Sequence, residues 1–308
     1  KPLKVDPAAL GLHYGQSVFE GLKAYRGTGD NRIRLFRPDR NAQRLAASCN
    51  RLCIPAPDPA QLVDWIRSLV AVEAKWIPAQ FGEALYIRPM IFATEGHLAV
   101  RPANRYTSVI VAAPVGQYFA QYGRPLRVKA EDRYTRAASG GTGAAKTAGN
   151  YGATLKPMFE AASEGFDQIL WLDGDEHAYA EEAGQMNIFF RIGDEVITPE
   201  LSGTILPGVT RDSVLSLLKQ WGIKATARRI SMAELRKAAE SESLLEIFGA
   251  GTAAVVVPVD SIQYQDFDIR ACPPSANSLS QRLFQSLLAI QHGQVDDTNN
   301  WIQFVDIE

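Results

Sequence analysis

Cysteine and histidine are scarce in this chain. Three cysteines among 308 residues, Cys49, Cys53 and Cys272, are too few for a disulfide framework. Cys49 and Cys53 lie four residues apart without the histidines a zinc site would use, and four histidines in all argue against a metal centre. The thiols read as core or surface groups in a reducing compartment. No apolar run reaches the roughly 18–20 residues that a membrane span needs. Charge of one sign is also lacking: 32 Lys and Arg against 34 Asp and Glu leave a net −2, with no basic field for nucleic acid. Repeats of 20–50 residues and low-complexity segments are missing as well. The chain opens at Lys1 without an initiator Met or a signal-peptide pattern, which reads as a trimmed N-terminus. The expected location is cytoplasmic, or the mitochondrial matrix if a presequence was removed.

What remains is a soluble globular composition, 46% hydrophobic and 21% charged, long enough for two domains. The stretch that stands out runs from Ser139 to Tyr151, one lysine, Lys146, among four glycines and several alanines. Glycines let a backbone approach a ligand closely. A lysine without bulky or charged sequence neighbours can be desolvated, which lowers its pKa towards the nucleophilic form. Three readings fit the stretch. It resembles a phosphate-binding G-x-x-x-x-G-K-[ST] loop, although Ala145 stands where the glycine before the lysine is required. It also suits a Schiff-base lysine, or a solvated surface loop.

Along the chain, Ser17–Tyr25 reads as a strand and 32–36 as its hairpin partner. Amphipathic helices follow at about 40–52 and 59–74, with Arg44 one turn into the first. Apolar strands are expected over 84–94 and 106–115. Arg88 sits inside the first of these and, if buried, requires an anionic partner. A linker over 116–126 divides a domain at 1–115 from one at 127–308. Past the lysine, a helix over 150–164 is expected to bury Leu155, Met158, Phe159 and Ala162. Residues 180–186 read as a loop between two strands. Leu206–Thr210 leads into a helix whose first N–H groups suit a phosphate. Ser231 and Glu234 read as a capping box, and a last helix spans 275–291. Strands and helices mix without strict βαβ alternation, which makes the class α+β.

Together these pieces resemble the branched-chain amino-acid aminotransferases, pyridoxal 5'-phosphate enzymes of fold type IV. The motifs run in order: Phe19-Glu20-Gly21-Leu22-Lys23-Ala24, Leu35-Phe36-Arg37-Pro38, Leu85-Tyr86-Ile87-Arg88-Pro89, Gly140-Gly141-Thr142-Gly143, Gly149-Asn150-Tyr151, Glu182-Ala183-Gly184, Met186-Asn187, Leu206 to Arg211 and Gly251-Thr252-Ala253. The resemblance covers His13 to about Val259. It implies a two-domain fold like that of D-amino-acid aminotransferase, with a smaller N-terminal α/β domain and a larger, strand-rich C-terminal one. It implies transfer of the amino group of leucine, isoleucine or valine to 2-oxoglutarate, giving glutamate by a ping-pong route. Lys146 would bond to the cofactor aldehyde and shuttle the substrate proton. Glu182, rather than the adjacent Glu181, would hold the pyridinium nitrogen protonated. Tyr151 would bond the phenolic oxygen, and Arg44, Val209, Thr210 and Thr252 would hold the phosphate. Thr252 and Ala253 would take the substrate α-carboxylate, with Tyr86, Arg88, Phe19 and Tyr118 lining the pocket. Tyr14 would reach across from a second subunit, so a homodimer is implied.

The chain departs from the family pattern at Ala148, where a glycine is common, and at Gln185, where animal relatives carry Thr. Ala254 and Val257 replace the redox-active cysteine pair of animal mitochondrial members. Rival readings within the fold are D-amino-acid aminotransferase, aminodeoxychorismate lyase and (R)-amine transaminase. A rival of another class is a non-catalytic cofactor-binding or interaction protein on the same scaffold.

Overall fold

A computed structural model describes residues 2–116, 124–272 and 278–307. Tyr118 and most of the expected linker lie outside the described residues. The chain divides into two compact units. The first comprises Lys1–Gly116, Ala145–Gly152 and Ala289–Glu308; the second comprises Gln117–Ala144 and Ala153–Leu288. Packing therefore groups the lysine-bearing segment and the C-terminal strand with the N-terminal unit.

The first unit is built on a six-stranded antiparallel sheet. Its path runs Ser17–Phe19, Ala84–Ala93, Leu22–Arg26, Ile33–Phe36 and Ile302–Val305, and Tyr106–Val115 pairs with Ala84–Ala93. The strand Ala84–Ala93 shows strict alternation from Leu85 onwards. Leu85, Ile87 and Ile91 enter a core shared with helices Pro38–Arg51 and Pro59–Val72, while Tyr86 and Arg88 face the other way. The strand expected at Ser17–Tyr25 is interrupted at Glu20-Gly21, and both parts pair with Ala84–Ala93. At Gly21 an added Cβ would lie 2.1 Å from Tyr86 Oη, so only glycine fits the crossing.

The second unit carries a nine-stranded mixed sheet. Six of its strands close a ring in the order Met186–Ile192, Leu244–Gly251, Val255–Tyr264, Leu126–Glu131, Gln168–Leu172 and Ala180–Ala183, because Ala180–Ala183 pairs with both Gln168–Leu172 and Met186–Ile192. Closure leaves these strands no free edge. Residues 180–186 are thus not a loop but a strand and a two-residue turn, Gly184-Gln185. Gly184 takes φ 58°, as a tight hairpin turn needs. The acids at 181 and 182 lower strand propensity and hide the element from a sequence reading.

The helix expected over 150–164 is two short ones, Ala148–Gly152 and Leu155–Ser163. Pro157 has no N–H to give and is tolerated in a first helical turn, so the helix restarts just before it. The expected apolar stripe fails with it: Leu155 and Phe159 are exposed, and Pro157 and Ala161 are buried. Ser231 caps its helix as expected, accepting from Glu234 N at 3.0 Å, but the Glu234 carboxylate turns to Arg228 instead of closing the box. Leu279, Leu283, Leu287 and Ile290 are buried along the last helix, described from Leu279 to Gln291. No helix among the described residues is long and apolar enough to cross a membrane.

Candidate active site

In the first unit the backbone of the lysine segment is pinned on three sides. Lys146 N donates to Ser48 Oγ at 2.9 Å, Phe19 N donates to Lys146 O at 3.0 Å, and Thr147 Oγ1 donates to Ser17 O at 2.7 Å. Asn150 Nδ2 closes the segment on Ala145 O at 2.8 Å. The sequence reading as a solvated surface loop is therefore excluded. The amine donates to Tyr151 Oη at 2.9 Å and stands over the Phe19 ring, 4.9 Å from its centroid. Burial brings its pKa down to about 8, with the Arg44 charge acting in the same direction and Glu20 opposing it.

Phe19 and Tyr151 pack ring on ring at 4.9 Å, tilted by 56°. Arg88 lies over the other part of this cluster, 4.6 Å from the Phe19 centroid, and donates to Tyr86 Oη at 2.9 Å. Among the described residues Arg88 has no anionic partner of the kind expected: its partners are aromatic faces and a phenol, favourable for a cation through the ring quadrupole. Its Nε is buried without a hydrogen-bond partner among the described residues, a donor in want of an acceptor.

Arg44 is buried and bound edge-on by Glu20, Nε to Oε1 at 2.7 Å and Nη2 to Oε2 at 2.9 Å. Asn41 Nδ2 and Gly21 N also donate to Glu20 Oε2, at 2.8 and 3.1 Å. Asn41, Arg44 and Ser48 share one stripe of their helix, at i, i+3 and i+7. Arg44 holds the Glu20 carboxyl below its ordinary pKa against the opposing effect of complete burial. In the sequence Glu20 figures only as part of a motif. The rule applied there to Arg88, that a charge within an apolar strand needs a partner, would have found this pair. Glu20→Ala would strand the arginine, and the expected loss is about 3–5 kcal/mol of unfolding free energy, read from a denaturant melt. Tyr14 ends the short helix Leu10–Tyr14, 42% exposed, with its hydroxyl on the Leu98 carbonyl.

In the second unit Glu182 is buried at the centre of a donor set. Arg136 Nη2 lies 2.9 Å from Oε2, while Leu206 N and Asn187 Nδ2 donate to Oε1 at 2.9 and 3.3 Å. Arg136 also donates to Thr204 O at 2.8 Å, and its side chain is 6% exposed. Sequence reasoning missed Arg136 and Asn187 as site residues, since no local pattern marks a partner 46 positions away. Val209 and Thr210 begin helix Val209–Gln220, whose N-cap Gly208 offers no side-chain cap. A Cβ at Gly208 would meet Asn187 Oδ1 at 2.0 Å, so close approach reserves the position for glycine. Thr252 and Ala253 lie in the turn after Leu244–Gly251, followed by Val255 at φ 59°. A β-branched residue there is strained, and such strain concentrates where a turn is held for a purpose.

The chain is similar to known proteins over nearly its whole length. The family model described as amino-transferase class IV matches residues 17–262. The branched-chain-amino-acid aminotransferase 2 of Bacillus subtilis (strain 168) is 45% identical over 301 residues, covering 98% of this chain and 83% of that protein. The branched-chain-amino-acid aminotransferase of Mycolicibacterium smegmatis is 43% identical over 306 residues, covering 98% and 83%. Among solved structures, a branched-chain amino acid aminotransferase of Escherichia coli superposes with a TM-score of 0.81 at 26% identity, covering 98% of this chain and 94% of that one.

Proposed function

The chain belongs to the class IV amino-transferases, and on that premise we propose that it is a branched-chain-amino-acid transaminase that uses pyridoxal 5'-phosphate and passes the amino group to 2-oxoglutarate. The observation that carries the reading is Lys146, a half-buried amine with its pKa at about 8, bonded to Tyr151 and set against aromatic walls.

The residues present fit the cofactor. The glycine at 208 keeps the start of a 12-residue helix open to close approach, as phosphate binding there requires. Glu182 keeps one carboxylate edge beside Arg136, a setting that favours the ionised acid a pyridinium needs. When bound, the group supplies an aldehyde for an amine and a sink for the electrons released at the substrate Cα. Lys146, as a neutral amine, would take the proton from the substrate Cα and, as the ammonium so formed, would give it back. Tyr151 holds that amine in place through its hydroxyl. Thr210 and Thr252 offer hydroxyls to the phosphate, and Thr252 and Ala253 offer their turn to the α-carboxylate. Arg44, fixed by Glu20, is the cation assigned to the phosphate.

Specificity rests on Phe19, Tyr86 and Arg88. An apolar branched side chain lies against the rings, and the carboxylate of glutamate answers the unpartnered Arg88 Nε. Tyr14, exposed at its helix end, is assigned to the site of a second copy in a homodimer.

One experiment tests both levels. The protein loaded with pyridoxal phosphate should absorb in the visible, bleach on addition of L-leucine, and regain colour with 2-oxoglutarate. Arg88→Ala should slow recolouring by glutamate's oxo acid at least tenfold more than bleaching by leucine. A colourless loaded protein would sink the reading, and equal losses in both halves would remove the role given to Arg88.

A further inference from the structure

One buried acid in the second unit has no part in the chemistry above. Glu181 precedes Glu182 on the strand Ala180–Ala183, so its side chain leaves the opposite face. It is 7% exposed, and its Oε2 has no hydrogen-bond partner among the described residues. Its Oε1 is 2.5 Å from Thr204 Oγ1. Thr204 Oγ1 is in turn 2.8 Å from Ser202 Oγ, and either hydroxyl can be the donor. Thr204 is buried and Ser202 is exposed. Two hydroxyls thus lead from solvent to a buried carboxyl.

The charges around Glu181 do not match an anion there. Arg136 gives its Nη1 to Thr204 O and its Nη2 to Glu182. Glu182 on the same strand and Asp173, just past Gln168–Leu172, both oppose a second negative charge, while Arg136 favours it. Arg229 lies 3.8 Å from Asp173 and is half-exposed. Burial is the largest influence and, against the Thr204 hydrogen bond, pushes the carboxyl up to about 7. A hydrogen-bonded hydroxyl can reverse its polarity without moving a heavy atom, so the neutral and charged states share one geometry.

We propose that Glu181, Thr204 and Ser202 form a proton relay through which solvent loads and unloads a buried carboxyl beside Glu182. In unloading, the Oε1–H bond of Glu181 breaks and a new O–H bond forms at Thr204 Oγ1. Thr204 passes its own proton to Ser202 Oγ, and Ser202 releases one to water. One proton leaves and one negative charge stays on Glu181; reloading is the reverse. The consequence for catalysis rests on the role proposed for Glu182. A negative charge on Glu181 acts against the charge on Glu182, so a proton shared between Glu182 and the ring nitrogen would be held more tightly above neutral pH.

The relay is tested without cofactor. Infrared spectra of the cofactor-free protein should show a protonated-carboxyl C=O band at pH 5–6 that disappears with a midpoint at about 7. Glu181→Gln should remove that band. Thr204→Val deletes the donor that stabilises the anion, so its midpoint should rise by at least half a pH unit, and Thr204→Ser should restore it. The folded-state pKa is raised, so the neutral acid's contribution to stability is present at low pH and lost as pH rises through about 7. The melting temperature of the wild type should therefore fall, relative to Glu181→Gln, between pH 5 and 8. The proposal is overturned by a band that does not titrate near neutrality, by one that survives in Glu181→Gln, or by an unmoved midpoint in Thr204→Val. Failure of leucine to bleach the loaded protein, with the band intact, would count against the proposed function and leave the relay standing.

Discussion

Lys146→Ala is expected to abolish covalent capture of pyridoxal phosphate and to lower turnover by at least about a thousandfold, since on the proposed function it removes nucleophile and proton carrier together. Borohydride treatment of the loaded wild type should add the mass of the reduced cofactor to the peptide bearing Lys146, and the variant should gain none. An ordinary lysine with a pKa near 10.5 is neutral in about one molecule in 3,000 at pH 7. With its pKa at about 8, Lys146 is neutral in roughly one in ten. The environment thus raises the reactive fraction by about two and a half orders of magnitude. Burial supplies most of this and the Arg44 charge helps, while Glu20 takes part of it back. The sign fixes the pH profile: below about 8 the amine is mostly protonated, so the capture rate should climb about tenfold per pH unit and level off above 8. Stopped-flow absorbance of cofactor-free protein mixed with pyridoxal phosphate reads this directly. A flat profile from pH 6 to 9 would remove the amine as the titrating group.

Much of the side-chain arrangement around Lys146 in the first unit was legible in the sequence because its signals are local. Lys146 and Tyr151 lie five residues apart on one small-residue segment. Tyr86 and Arg88 share a face by the two-residue period of a strand. The helices expected from about 40 and 59 begin at Pro38 and Pro59, with proline at the first helical position of each. The errors arose where tertiary partners override a local pattern. Glu181 and Glu182 discourage a strand by composition, yet ladders on both sides make one. The apolar spacing at 155, 158, 159 and 162 implied a buried stripe, but Pro157 set the helix start and turned Leu155 and Phe159 outwards. Glu20 and Arg44 are 24 positions apart and Arg136 and Glu182 are 46 apart. Such pairs are specified by where the chain folds, and no motif spacing contains them.

Glu182 is where stability and activity should separate most clearly. Two substitutions remove its charge and differ in what they leave behind. Glu182→Ala deletes the carboxylate that Arg136, Leu206 N and Asn187 Nδ2 share, leaving Arg136 the Thr204 carbonyl and Asn187 the Leu206 carbonyl. A guanidinium 6% exposed is then left without its acid, at a cost of about 3–5 kcal/mol. For a protein of this size each kcal/mol lowers the melting temperature by roughly 2–4 °C, so a drop on the order of 10 °C is expected. Glu182→Gln fills the same space and keeps one carbonyl oxygen, enough for Leu206 N or for Arg136 but not for both, so its melting temperature should fall by less than that of Glu182→Ala. Activity should not follow that order. On the role proposed for Glu182, both variants lack the carboxylate that would hold the ring nitrogen protonated, and both should lose about 100- to 1,000-fold in turnover with leucine, comparable to removing one preorganised electrostatic partner. Near-wild-type turnover in Glu182→Gln would show that a neutral acceptor suffices, and the assignment of Glu182 to the pyridinium would fall. Equal melting temperatures in the two variants would instead show that the carbonyl oxygen kept in Glu182→Gln contributes nothing and that the Arg136 pair acts through charge.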